Sequence, residues 1–201
     1  MSRRFNKDSL DQLHDYGLYL PTRTIYMGSE LVDLDDESGT DALMAEKTIK
    51  NLTILESLNN EPITIIANNP GGHVSHGLAI YDAIRACKSP VSMKIFGQAS
   101  SMGSIILQAA DERIMSPQSS QMIHYGSVSL DGEAQTVYKA TQEYKRIDKW
   151  MEDMYLTHIH EKNPRFTRQK LQSLLKADTY LTAKESVALG LADKVLGDDS
   201  E

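Results

Sequence analysis

Apolar positions along this chain alternate between two periods. From Thr40 to about Leu58, Ala45, Ile49, Leu52 and Leu55 recur at three- and four-residue intervals, which predicts an amphipathic helix capped by Thr40 or Asp41. Asn59-Asn60 ends it, and Pro62 to Ala67 follows as a β-branched run suited to a strand buried on both faces. The alternation then repeats. Asn68-Asn69-Pro70-Gly71-Gly72 is a turn, and a helix with Leu78, Ile80, Tyr81 and Ile84 runs to about Ala86. Ser89-Pro90 breaks that helix before a strand over Val91 to Phe96. Gly97 opens a turn into a small-residue helix carrying Met102, Ile105, Ile106 and Ala109. Arg113 to Met115 and Met122 to His124 read as short strands divided by Pro117. The longest helix spans Glu133 to about Glu161, with Val137, Tyr144, Ile147, Met151, Met154 and Tyr155 on one side. A last helix, Ala183 to Leu189, stops at Gly190, and Ala192 to Leu196 is a closing strand.

Upstream, Arg23 to Tyr26 is a short strand stopped by Gly28. Residues 1–22 are polar, with Asp8, Ser9 and Asp11 able to start a short helix before Tyr16-Gly17. Strands alternating with helices place the chain in the α/β class, as stacked β-α units with a mainly parallel sheet. No internal repeat, low-complexity tract or Pro/Gly-rich linker divides it, so a single domain is expected over 23–201, behind a 1–22 leader.

Composition narrows the function classes. With 40% apolar and 24% charged residues in a 201-residue chain, the balance is that of a globular domain rather than a disordered one. No run approaches the roughly 18 apolar residues of a membrane span. The start, Met1 to Asp8, turns polar where a secretory signal would be apolar, so a cytoplasmic location with no membrane partner is expected. One cysteine, Cys87, excludes an internal disulfide and a cysteine-based zinc site. A net charge of −7 with no basic run argues against nucleic-acid binding.

Candidate chemistry gathers at two turns that follow apolar strands, where open α/β sheets place their ligand sites. Pro70-Gly71-Gly72 offers bare backbone whose N–H groups can face an anion, although taken alone it reads first as an ordinary turn. Gly97-Gln98-Ala99-Ser100-Ser101-Met102-Gly103 puts serines at a strand-to-helix junction, where an exposed hydroxyl or a helix cap are both open readings. Ala99 occupies the first glycine position of a G-x-S-x-G elbow. Of six histidines, His14 is in the polar leader and His158 and His160 point in different directions from one helix. His73 and His76 have the spacing of a metal pair without a third ligand nearby, so no metal site is expected. His124 ends a strand and can reach a neighbouring turn, either as a base or as a structural histidine.

Taken in order, Asn68-Asn69-Pro70-Gly71-Gly72, Gly97 to Gly103 and Met122-Ile123-His124 resemble the proteolytic subunits of the Clp protease family. Asp178-Thr179-Tyr180-Leu181-Thr182-Ala183 and Gly190-Leu191-Ala192-Asp193 continue the resemblance, which covers about residues 23–196. It implies a crotonase-like fold of ββα units with a protruding handle helix, about 133–161. It implies a serine endopeptidase with Ser101 as nucleophile, His124 as general base and Asp178 as its orienting carboxylate. Gly72 and Met102 become the oxyanion-hole N–H donors, and Tyr125, Gly126 and Ser127 begin the strand that pairs with peptide substrate. No metal or organic cofactor is implied. ATP would be used only by a partner AAA+ unfoldase, since this chain has no G-x-x-x-x-G-K-[ST] loop. The implied assembly is a homo-oligomer of heptameric rings stacked as a tetradecamer, acting on polypeptides.

The sequence departs from the family at several positions. Tyr125-Gly126 replaces Gln-Pro after the histidine, Ala177 replaces an arginine, Thr64 stands where an aromatic is usual, and Asn163 to Phe166 lengthens a loop. A non-catalytic ring subunit or scaffold, and an acyl-CoA enzyme of the related crotonase fold, are the alternatives. The first is opposed by three filled triad positions, and the second leaves Ser101 and His124 without a role.

Overall fold

In a computed structural model of the chain, residues 7–28 and 39–198 are described. The first six positions of the 1–22 leader lie outside them. The helices are α1 (Lys7–Tyr16), α2 (Ala42–Leu58), α3 (Val74–Ala86), α4 (Met102–Leu107), α5 (Ala134–Lys162), α6 (Arg168–Leu175) and α7 (Ala183–Leu189). The strands are β1 (Leu18–Tyr19), β2 (Thr24–Met27), β3 (Ile63–Asn69), β4 (Val91–Ser100), β5 (Glu112–Met115), β6 (Ser120–Ile123), β7 (Thr179–Thr182) and β8 (Lys194–Val195). The α/β expectation holds.

The described strands form one mixed sheet in the order β1-β2-β3-β4-β5-β8, with β6 and β7 branching from β4. Pairings along β2-β3-β4-β5-β8 and β4-β6 are parallel, while β1-β2 and β6-β7 are antiparallel. Ile63, Ile65, Val91, Met93 and Ile95 are buried in the central strands, and α2, α3 and α4 cover them with Leu52, Leu55, Ile80, Ile84, Ile106 and Leu107.

Gly97 does not end β4, contrary to the expected turn. It takes φ 83, the Asn68 amide fills the space a side chain would need, and the register against β3 shifts between Ala67 and Asn69. Beyond this bend β4 leaves β5 and pairs with β6 through Gln98 to Ser100. The strand expected at Met122 to His124 runs instead from Ser120 to Ile123, and His124 comes just after it.

In α2, Ile49 is at the edge of the buried face, and polar Thr48 and Asn51 take the inner positions. The Asn51 amide donates to Tyr16 O at 2.8 Å, tying α1 to α2. In α5 the buried residues begin only at Met151; the turns before it are exposed or half-buried, and Tyr144, Ile147 and Trp150 on them face a cleft. At about 1.5 Å per residue the whole helix is roughly 43 Å long.

A buried polar chain locks the C-terminal elements. The Gln121 amide donates to Ser104 Oγ (2.8 Å), which is 2.9 Å from the Tyr155 hydroxyl. Gln108 donates to Ser104 O and Leu191 O and accepts from Arg113, whose guanidinium also pairs with Asp193 at 2.6 Å. Among the described residues no helix is long and apolar enough to cross a membrane.

Candidate active site

Segments far apart in sequence meet at the C-terminal ends of β3 and β4. The chain passes from β4 into α4 through Ser101, at φ 51 and ψ −118. A non-glycine residue in such a conformation costs about 1–3 kcal/mol, and surrounding bonds must hold it there. Ser101 N–H donates to Met122 O at 2.8 Å, while its carbonyl accepts from Ser104 and Ile105 N–H and starts the helix. Its side chain makes no capping bond, so the hydroxyl is left for another partner.

That partner is His124. Its Nε2 lies 2.8 Å from Ser101 Oγ, and its Nδ1 lies 2.8 Å from Asp178 Oδ1. A carboxylate only accepts, so Nδ1 carries the proton and bare Nε2 accepts from the serine hydroxyl. Sheet register makes this alignment. Ile123 on β6 faces Thr179 on β7, so the residues just outside the ladder, His124 and Asp178, fall side by side. Neighbouring Ser100 is engaged elsewhere, donating to Gln98 Oε1 at 2.9 Å.

The Pro70-Gly71-Gly72 turn is tacked down on one side. Gly71 N–H donates to Asn69 Oδ1 (2.8 Å), Thr40 N–H donates to Gly71 O (2.5 Å), and His73 N–H donates to Thr40 O (2.8 Å). Asn69 is itself buried and bonded to the Thr40 hydroxyl. These bonds leave Gly72 N–H, like Met102 N–H in the first turn of α4, without an acceptor among the described residues. Both line one cleft with Ser101 and His124. The glycine pressed against the serine is Gly71. At φ 103, a Cβ there would stand 2.7 Å from Ser101 Cβ and 3.2 Å from Met102 N.

The cleft holds about 330 Å³. Leu78, Ile105, Ile147, Trp150 and Met151 wall it, and Tyr125, Gly126 and Ser127 run along its rim. That rim forms no ladder with any of the described residues. Tyr125 is nevertheless anchored: its N–H donates to Leu175 O at 2.9 Å and its hydroxyl to Glu152 Oε1 at 2.5 Å. Glu152, buried on α5, also accepts from Arg168 (2.7 Å) and Gln172 (3.2 Å) on α6. Burial opposes its charge, but bonds from Tyr125, Arg168 and Gln172 outweigh this and hold the carboxyl below its usual range. The Tyr125 phenol is pushed up, first by burial and then by Glu152.

Sequence reasoning missed Asn69, Thr40 and Glu152. Asn69 carried a signal, since Asn before Pro-Gly is a turn residue that bonds its own backbone two positions on. Glu152 carried a weaker one, an acidic residue on the apolar side of a helix. His73 and His76 meet edge to face, their ring centroids 5.8 Å apart, and no third ligand joins them among the described residues.

The family model described as Clp protease matches residues 17–199. The ATP-dependent Clp protease proteolytic subunit of Deinococcus radiodurans is 33% identical over 189 residues, which cover 92% of this chain and 86% of that protein.

Proposed function

The chain belongs to the Clp protease family, and on that premise we propose that it is a serine endopeptidase acting on unfolded polypeptides inside a closed ring of its own copies. The observation that carries this reading is the unbroken relay from Asp178 through His124 to Ser101, with both hydrogen bonds at 2.8 Å.

In the proposed reaction His124 Nε2 takes the Ser101 proton as Oγ attacks a peptide carbonyl, then returns it to the leaving amine. Asp178 keeps the proton on Nδ1 and stabilises the imidazolium. Gly72 and Met102 N–H receive the oxyanion, each donor contributing about 3–4 kcal/mol at the transition state. Water then hydrolyses the acyl-enzyme by the same route. The chemistry needs no metal or organic cofactor.

The largely exposed first turns of α5 and exposed Val128, Leu130 and Tyr138 support a face that a second copy covers. Heptameric rings stacked as a tetradecamer are the assembly the family implies. The unladdered Tyr125–Ser127 rim supports backbone pairing with an extended peptide. The relative's name includes ATP dependence. In this reading an AAA+ unfoldase supplies it from the cytoplasm.

The test is degradation of an unfolded reporter protein, with light scattering on the same sample. The expected result is an oligomer whose activity disappears in Ser101→Ala without loss of assembly. Full activity in that variant would refute the reading.

A further inference from the structure

We infer that Asp148 makes the cleft beside Ser101 a pocket for a basic side chain, so that cleavage falls after lysine or arginine. The inference rests on the serine-peptidase reading and adds its substrate class. The cleft wall is apolar, built by Leu78 of α3, Ile105 of α4, and Ile147, Trp150 and Met151 of α5. Such a wall alone selects an apolar side chain. Asp148, one position past Ile147, is the charged group of the acidic or basic kind that lines this cleft among the described residues.

Asp148 is half-buried, and its side chain makes neither a hydrogen bond nor an ion pair among the described residues. Burial, and then the charge of Glu152 one turn on, push its carboxyl up from the ordinary range. An unpaired carboxylate beside apolar surface is costly, so the arrangement gains from an incoming cation. A lysine or arginine supplies one while laying its methylene stem along the wall, the disposition long cationic side chains favour.

The neighbouring charges leave the position open. On the far side of Asp148 a shallow groove holds Lys145, Lys149, Glu152 and Arg168. Arg168 is spent on Glu152 and Asp153, and Glu152 is a like charge. Lys145 and Lys149 are exposed and make no ion pair with Asp148.

The experiment uses the assembled protein and fluorogenic peptides that differ only in the residue before the scissile bond. Lysine is compared with norleucine, which keeps the stem and lacks the charge, and arginine with leucine. Each sample is also labelled with a fluorophosphonate. The expected result is that Asp148→Asn lowers kcat/KM at least tenfold for lysine and arginine and less than twofold for norleucine and leucine. High salt should weaken the wild-type preference. Labelling at Ser101 with rejection of basic residues, or equal loss on lysine and norleucine in Asp148→Asn, overturns this inference and leaves the peptidase reading standing. A protein that neither labels nor cleaves any peptide overturns both.

Discussion

Replacing Gly71 with alanine tests how the serine is held. Gly71 sits at φ 103, where an L side chain costs about 1–2 kcal/mol. The new Cβ would stand 2.7 Å from Ser101 Cβ, 2.9 Å from Ser100 O and 3.2 Å from Met102 N. Two of those three contacts are backbone, which cannot swing aside, and overpacking of this kind adds about 1–3 kcal/mol. The total is about 2–5 kcal/mol. For a chain of this size each kcal/mol is worth about 2–4 °C, so the melting temperature should fall by about 4–20 °C. Relief of the clash separates the turn from the start of α4 and with it the Gly72 and Met102 N–H groups. In the proposed mechanism these are the oxyanion donors, and losing one costs about 10²–10³ in kcat. The assay is thermal unfolding paired with hydrolysis of a fluorogenic peptide, and kcat should fall at least a hundredfold with little change in KM. Gly132→Ala is the control: Gly132 also has positive φ, but nothing lies within 4 Å of its added Cβ. It should lose stability only modestly and keep its kcat. Wild-type kcat and melting temperature in Gly71→Ala would refute the reasoning.

Ser100→Ala should keep hydrolysis within about threefold of wild type, because its hydroxyl bonds Gln98 rather than His124 and a lost neutral hydrogen bond is worth about 1 kcal/mol. Peptide kinetics check this, and a loss as deep as that of Ser101→Ala would contradict it. Tyr125→Phe removes a hydrogen bond to the buried Glu152 carboxylate, worth about 1.5–3 kcal/mol, and calorimetry should show a lower melting temperature. Asp193 carries a pH dependence. Burial disfavours its charge, but the Arg113 bonds outweigh that and depress its pKa. Its contribution is therefore complete above about pH 4 and lost as pH falls through the folded value. Asp193→Asn should be less stable than wild type at pH 7, with the gap closing towards pH 2. A gap that stays constant in pH-dependent unfolding would exclude this account.

What the sequence made legible follows from how local each signal is. The β3 strand and the helices α2, α3 and α5 declare themselves through runs of apolar residues at strand or helix period. The turn residues around Gly71 and Ser101 mark strand ends of the kind where open α/β sheets place ligand sites. By contrast, β7 was invisible as a strand because Tyr180 and Thr182 are exposed and no buried face imposes alternation. Its existence depends on pairing with β6, a partner almost 60 residues away in sequence. The helix α6, next to the expected loop at Asn163 to Phe166, is short and polar. It is held by Thr167 at its cap and by Arg168 and Gln172 bonding Glu152. The β4 bend at Gly97 reads in the sequence as a turn, because glycine weakens a strand and the pairing that carries β4 on to β6 lies in residues 120–122. At the site, the roles of Ser101, His124 and Asp178 come from the resemblance. Residue patterns alone left Ser101 a possible helix cap, and only the Ser101 conformation and the β6–β7 register bring the three together. Glu152 is hard to read from sequence because a buried polar group is recognised by its partners, here Tyr125, Arg168 and Gln172, which are distant in sequence.

The most direct test of the central claim is fluorophosphonate labelling followed by peptide mapping, since such a probe reacts with an activated serine and largely ignores ordinary hydroxyls. The account predicts one adduct, on Ser101, in the oligomeric protein, and its loss in His124→Ala. An oligomeric, folded protein that takes no label, or takes it on Ser100, would contradict the account.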